Sequence, residues 1–178
     1  RRQGLDATVS RQSGRLGLQL SYSYLQAIYD ADGELFTGAR HVRVRSGTPI
    51  AALPRHTAKF ALDWEPDPRW NLGADLHVVS SLVTNGNEDG LIDDPEEDEA
   101  PERADWRIAG HGLLTLRATY RPAQQWELFM RVSNVLDRRH ETFGTVAPDL
   151  FPHGRLIRPH EEPGDAANAR FVAPGAPR

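Results

Sequence analysis

Cysteine is absent from the 178 residues, which excludes a disulfide framework and any thiolate metal site. A long apolar run is absent too: nothing approaches the roughly 18 residues that a membrane-crossing helix needs. Helical spans are thereby excluded, but β-barrels are not, because a barrel strand is apolar on one side only. Lysine is nearly lacking, with Lys59 alone among 21 basic residues, which reads as genomic bias. The net charge of −4 gives no reason to expect a nucleic-acid partner. Neither a G-x-S-x-G elbow nor a glycine-rich phosphate loop occurs, so the expectation is a protein that is not an enzyme. The opening RRQGLDATVS has no initiator Met and no signal-peptide core, so the chain is expected to be cut from something longer.

What is present is alternation. In LGLQLSYSYL the residues Leu16, Leu18, Leu20, Tyr22 and Tyr24 fall at every second position. A period of two marks an amphipathic strand, not a helix. The pattern recurs in LDATVS (Leu5, Ala7, Val9) and in TAKFALDW (Ala58, Phe60, Leu62, Trp64). It continues in WNLGADLHV (Trp70, Leu72, Ala74, Leu76, Val78) and LLTLRATY (Leu114, Leu116, Ala118, Tyr120). WELFMRVS closes the series with Trp126, Leu128, Met130 and Val132. No charge falls on the apolar side of any of these six segments. Lys59, Asp63, Asp75, His77, Arg117, Glu127 and Arg131 all take the other side.

The connections alternate as well. Residues 12–15, 65–69 and 121–125 are short turns with Gly or Pro, as hairpins require. Residues 30–54, 83–110 and 135–170 are long links, uncommon inside a compact soluble domain. Short periplasmic turns alternating with long extracellular loops are a feature of outer-membrane barrels. Trp64 and Trp70 bracket one short turn, Tyr120 and Trp126 another, as a periplasmic aromatic girdle would. Tyr22, Tyr24 and Tyr29 sit towards the opposite end and suit an outer girdle. The fold class expected is therefore all-β: an antiparallel up-and-down transmembrane β-barrel segment of about six strands. Its apolar side would face lipid and its charged side a watery lumen. If Trp64 faces Trp70, Lys59 faces Asp75; if Tyr120 faces Trp126, Arg117 lies diagonal to Glu127. A soluble β-sandwich burying the same apolar side stays open at this point.

Six strands are too few to close a membrane barrel, for which about eight is the minimum. Residues 1–178 are accordingly expected to be the C-terminal segment of a larger barrel, without its final strand.

The stretch GHGLLTLRATYRPAQQWELFMRVSNVLDRRHETFG resembles the late strands of TonB-dependent outer-membrane receptors. RVRSGTPIAALPRHTAKFALDW and the GNE after SSLVTN resemble the same family's preceding hairpin and loop, and FVAPGAPR the run into its final strand. Leu136 stands where that family favours Phe, and His140 where it favours Tyr. The resemblance implies a bacterial outer-membrane location and a plugged barrel of about 22 strands. It implies import of a scarce small-molecule ligand, an iron–siderophore complex first among them, driven by TonB through an N-terminal region that includes a plug. Contacts with lipid and lipopolysaccharide follow from the same placement. A passive porin-like or structural barrel is the alternative within the membrane.

Three clusters invite chemistry. NGNEDGLIDDPE, residues 85–96, nearly fits a calcium loop: Asn85, Asn87 and Asp89 at positions 1, 3 and 5, Gly90 at 6 and Glu96 at 12. Against it stand Asn at position 1, the intruding Pro95, and a preceding strand where a helix belongs. Some members of the resembled family hold calcium in outer loops; a solvated acidic run is the plainer alternative. Arg40, Arg43 and Arg45 in RHVRVR would grip phosphate on lipopolysaccharide or an anionic ligand, or form a simple loop charge cluster. The seven His residues, His41, His56, His77, His111, His140, His153 and His160, show no close pair at metal-ligand spacing.

Overall fold

A computed structural model describes residues 1–91, 103–149 and 168–175. No helix occurs among them. Six long strands form one antiparallel sheet: β1 (Arg2–Ser13), β2 (Leu16–Ala27), β5 (His56–Asp67), β6 (Trp70–Val79), β9 (His111–Ala123) and β10 (Trp126–Val132). They lie side by side in chain order, the up-and-down arrangement that the alternation implied. Five of the six long strands contain the whole segment expected from the sequence and run on beyond it; β10 stops at Val132, one residue short of Ser133.

The short turns fold tightly. Gly14 and Arg15 alone join β1 to β2, and only Gly14 has positive φ, 56°, as a type II′ hairpin turn requires. In the next two hairpins the register shifts at a bulge before the turn, between Trp64 and Asp67 and between Trp126 and Leu128.

Those bulges correct the expected pairings. Trp64 faces Leu72, not Trp70, so Lys59 faces His77 and Ala61 faces Asp75. Tyr120 faces Leu128, not Trp126, so Arg117 faces Arg131. Both slips are of two residues, which changes every partner yet leaves every side chain on its own face. The face assignments therefore hold. Leu20 faces Phe60, Phe60 faces Leu76, Leu76 faces Leu114, and one apolar surface runs unbroken across the sheet. Because the strands extend beyond those segments, two charges do reach that surface beside the short turns: Asp67, opposite Trp70, and Arg11, opposite Leu18. There the long stem of Arg11 leaves its guanidinium free to reach the polar boundary.

The long connections carry their own structure. The first contains the hairpin of β3 (Gly33–Phe36) and β4 (His41–Val44); the second contains β7 (Leu82–Val83) and β8 (Arg107–Ile108). The third contains β11 (Glu141–Pro148) paired with β12 (Asn168–Pro174). Here lies most of the core among the described residues: Val42, Val44, Ile108 and Val146 are at most 4% exposed. The large sheet is the reverse. Leu20, Trp64, Trp126, Leu128 and Met130 are 46–66% exposed, and no second sheet covers them among the described residues. A β-sandwich would have buried them.

An arginine at Leu76, mid-strand on the apolar face, is expected to destabilise the folded protein in lipid vesicles by about 2–4 kcal/mol. Arginine at Ala61, on the opposite face, should cost less than about 1 kcal/mol. Urea unfolding of the two variants in the same vesicles checks the contrast.

Candidate functional site

The charged face is organised around Arg117. Its neighbour across the ladder is Gly73, whose other neighbour is Asp63. With no side chain at Gly73, the guanidinium lies flat across β6; a Cβ there would sit 2.8 Å from its Cζ. Arg117 Nε donates to Asp75 Oδ2 at 2.8 Å and Nη2 to Asp63 Oδ1 at 3.1 Å. One cation thus ties three adjacent strands. The contribution to stability is modest, because the three side chains are 38–52% exposed and water screens such pairs.

The other predicted wall residues fall around this clamp. Lys59 and His77 form a facing pair on β5 and β6. Arg131 faces Arg117 from the edge strand. Glu127 does not approach Arg117; it accepts from Arg121 Nε at 2.7 Å, because the bulge carries it towards the turn. Gly73 is the residue that reading by charge missed. Its signal was a lone glycine inside a strand, which often marks a close approach.

Trp64, Trp70, Tyr120 and Trp126 all lie at the short-turn end of the apolar face. Trp70 and Tyr120 are direct partners with stacked rings 4.4 Å apart. At the other end Tyr22 and His56 share a hydrogen bond of 2.7 Å. Tyr29 does not join them: it lies beyond β2 and is hydrogen-bonded through its backbone to Thr48 and Gly47. Its phenol is pushed up by burial and by the Glu88 carboxylate, which places it towards the second long connection.

Residues 85–91 form a knot of internal bonds. Asn87, 3% exposed, accepts from Trp106 N at 2.8 Å and donates to the Leu91 carbonyl. Asp89 Oδ1 accepts from Leu91 N, and Oδ2 faces Arg40 at 3.5 Å. Asn85 Nδ2 donates to Thr37 and Thr145 at 3.4 Å. Glu96, His153 and His160 lie outside the described residues. Among those described, no group of three His, Asp or Glu residues could hold a metal ion. Arg40 is correspondingly no phosphate grip: its side chain is 7% exposed and also donates to the Leu91 carbonyl. Arg43 and Arg45 are exposed.

The sequence profile of the family described as TonB dependent receptor-like, beta-barrel, matches residues 1–135. The chain belongs to that family. Its fold is shared with the siderophore receptor PiuA from Acinetobacter baumannii, at 13% identity and a TM-score of 0.62, over 80% of this chain and 18% of that one. It is shared too with a mutant of the ferric enterobactin receptor PfeA from Pseudomonas aeruginosa, at 21% identity and a TM-score of 0.51, over 76% and 17%. Another PfeA mutant, in complex with enterobactin, matches at 18% identity and the same TM-score, over 79% and 18%. The chain thus spans less than a fifth of the length of these receptors. No curated protein sequence matches it. The family is one of receptors, not of enzymes.

Two outcomes test this receptor segment. Gly73→Ala and Arg117→Ala should be non-additive by about 1 kcal/mol in a double-mutant cycle of urea unfolding, since either removes the same clamp. Burial, with help from Asp89, raises the Glu88 carboxyl above its ordinary 4.5. A raised carboxyl stabilises the fold below its unfolded pKa, and that contribution is lost as pH rises through the folded value. Amides of residues 86–91 should therefore exchange more readily, after correction for intrinsic rates, as pH climbs from about 4 to about 7. Glu88→Gln should flatten that dependence.

Proposed function

We propose that this chain forms part of the wall of an outer-membrane active transporter that imports an iron–siderophore complex with energy delivered through TonB. The observation that carries the reading is the continuous apolar face of the six-stranded sheet, exposed and backed by a charged face. Such a sheet suits hydrocarbon on one side and water on the other. The two sheet edges, β1 and β10, need hydrogen-bonding partners in a bilayer, which further strands of the same barrel would provide. The fold shared with siderophore receptors supports the choice of ligand class.

On this reading the short turns are periplasmic, and Trp64, Trp70, Tyr120 and Trp126 form the inner girdle at the lipid boundary. The long connections, with their packed hairpins, stand outside the cell next to lipopolysaccharide. Lys59, Asp63, Asp75, His77, Arg117, Glu127 and Arg131 line the lumen. TonB is engaged by a part of the receptor outside residues 1–178.

Radio-iron uptake by cells of the source organism, fed a panel of ferric siderophores, tests the proposal. Deleting the receptor gene should abolish uptake of one of them, and inactivating TonB should match the deletion. Uptake that persists without TonB but is lost with the receptor would instead mark a passive pore.

A further inference from the structure

Where β9 begins, a cavity of about 420 Å³ opens between Gly110, His111 and the start of β11, a volume suited to a small-molecule ligand. His111 heads the charged face of β9, opposite Val79. The lining includes Arg107, Arg139 and Arg170 together with His111 and His140. Its one acid, Glu141, is occupied by Arg170 at 2.7 Å and 3.2 Å. Among the described residues Arg107 meets a carboxylate only at Asp105, 3.7 Å away on the exposed side. Arg139 is exposed, and no hydrogen bond or ion pair holds it among the described residues.

The imidazoles point the same way. His111 and His140 lie with ring centroids 4.5 Å apart. His140 Nδ1–H donates to the Arg138 carbonyl, whereas His111 Nδ1 is buried with no partner among the described residues. Buried polar atoms are normally satisfied, so an incoming group fits here. Arg107 also lines a neighbouring cavity of about 330 Å³, which holds Arg55 and no acid. A protein of net charge −4 has thus gathered cations at one place on its rim.

We propose that this cavity captures a multiply charged anionic solute bearing carboxylate or phosphate oxygens, held by Arg107 and Arg139 with His111 adding a hydrogen bond. Planar guanidinium groups match such oxygens two at a time. A neutral solute gains no charge attraction from Arg139. The inference rests on the transporter reading and names its solute class.

Isothermal titration of the full receptor in detergent tests it, with citrate and inorganic pyrophosphate as probes and the neutral trisaccharide raffinose as control. Both anions should bind and raffinose should not. Arg139→Gln should weaken the anions about tenfold, and Arg139→Lys, which keeps the charge but not the planar fork, should restore only part of that loss. Heat-modifiable gel migration confirms that each variant is folded. An Arg139→Gln affinity within about twofold of the parent overturns the proposal. So does an equal loss from Arg43→Gln on the exposed hairpin, which would mean diffuse attraction only. Binding of lipid A micelles without binding of the soluble anions overturns it as well, by assigning the cations to lipid phosphate. Anion binding that persists while uptake proves independent of TonB would sink the transporter reading and leave this site standing.

Discussion

The structure depends on the cost of placing charge against hydrocarbon. A sheet satisfies its backbone through its ladders, so its side chains decide which environment each face can meet. Here the apolar face runs from Leu5 on β1 to Met130 on β10, with charges only at its short-turn boundary among the described residues, Arg11 and Asp67. In a soluble protein an apolar expanse of this breadth would be covered, since larger exposed patches mark interaction surfaces. Buried residues instead gather in the connections, around Val42, Ile108 and Val146. Membrane solvation of the sheet and packing of the loops divide the chain between them.

The polar face follows from the same constraint. Every ionised group barred from one side collects on the other, where like charges must be kept apart or compensated. Arg117 does this by crossing Gly73 to reach two carboxylates. The arrangement orders the wall more than it stabilises it, because each pair stands half in water. The Asp89–Arg40 pair is the contrary case. Both side chains are at most 7% exposed, so removing one would strand a buried charge at about 3–5 kcal/mol. Ion pairs thus organise the wall and lock the rim.

Face and topology were legible in the sequence because each is set by a periodicity. Period-two alternation assigns sides, and short–long spacing assigns turns and loops. Register was not legible. Any even slip preserves the faces, so nothing in the pattern distinguishes Trp64 opposite Trp70 from Trp64 opposite Leu72, and the bulge that decides it lies in the unpatterned turn residues 65 and 66. The clamp was half legible: Asp63, Asp75 and Arg117 were placed on the right side, but their meeting depends on the register and on Gly73. Least legible were the loops. The spacing of Asn85, Asn87 and Asp89 suggested ligands for a cation, whereas their side chains bond Thr37, Trp106, Leu91 and Arg40. Those partners come from distant segments that local spacing does not reveal.

The absence of cysteine from residues 1–178 leaves only cysteines elsewhere in the receptor to be replaced before the most direct test. Single cysteines at Leu18, Leu62 and Ala74, and at Ser21, Ala61 and Thr115, would carry nitroxide labels in the full receptor reconstituted in lipid. The first three should be relaxed by oxygen dissolved in the bilayer, the second three by a water-soluble nickel chelate. Equal responses from both sets, or reversed ones, would contradict the assignment of the uncharged face to lipid.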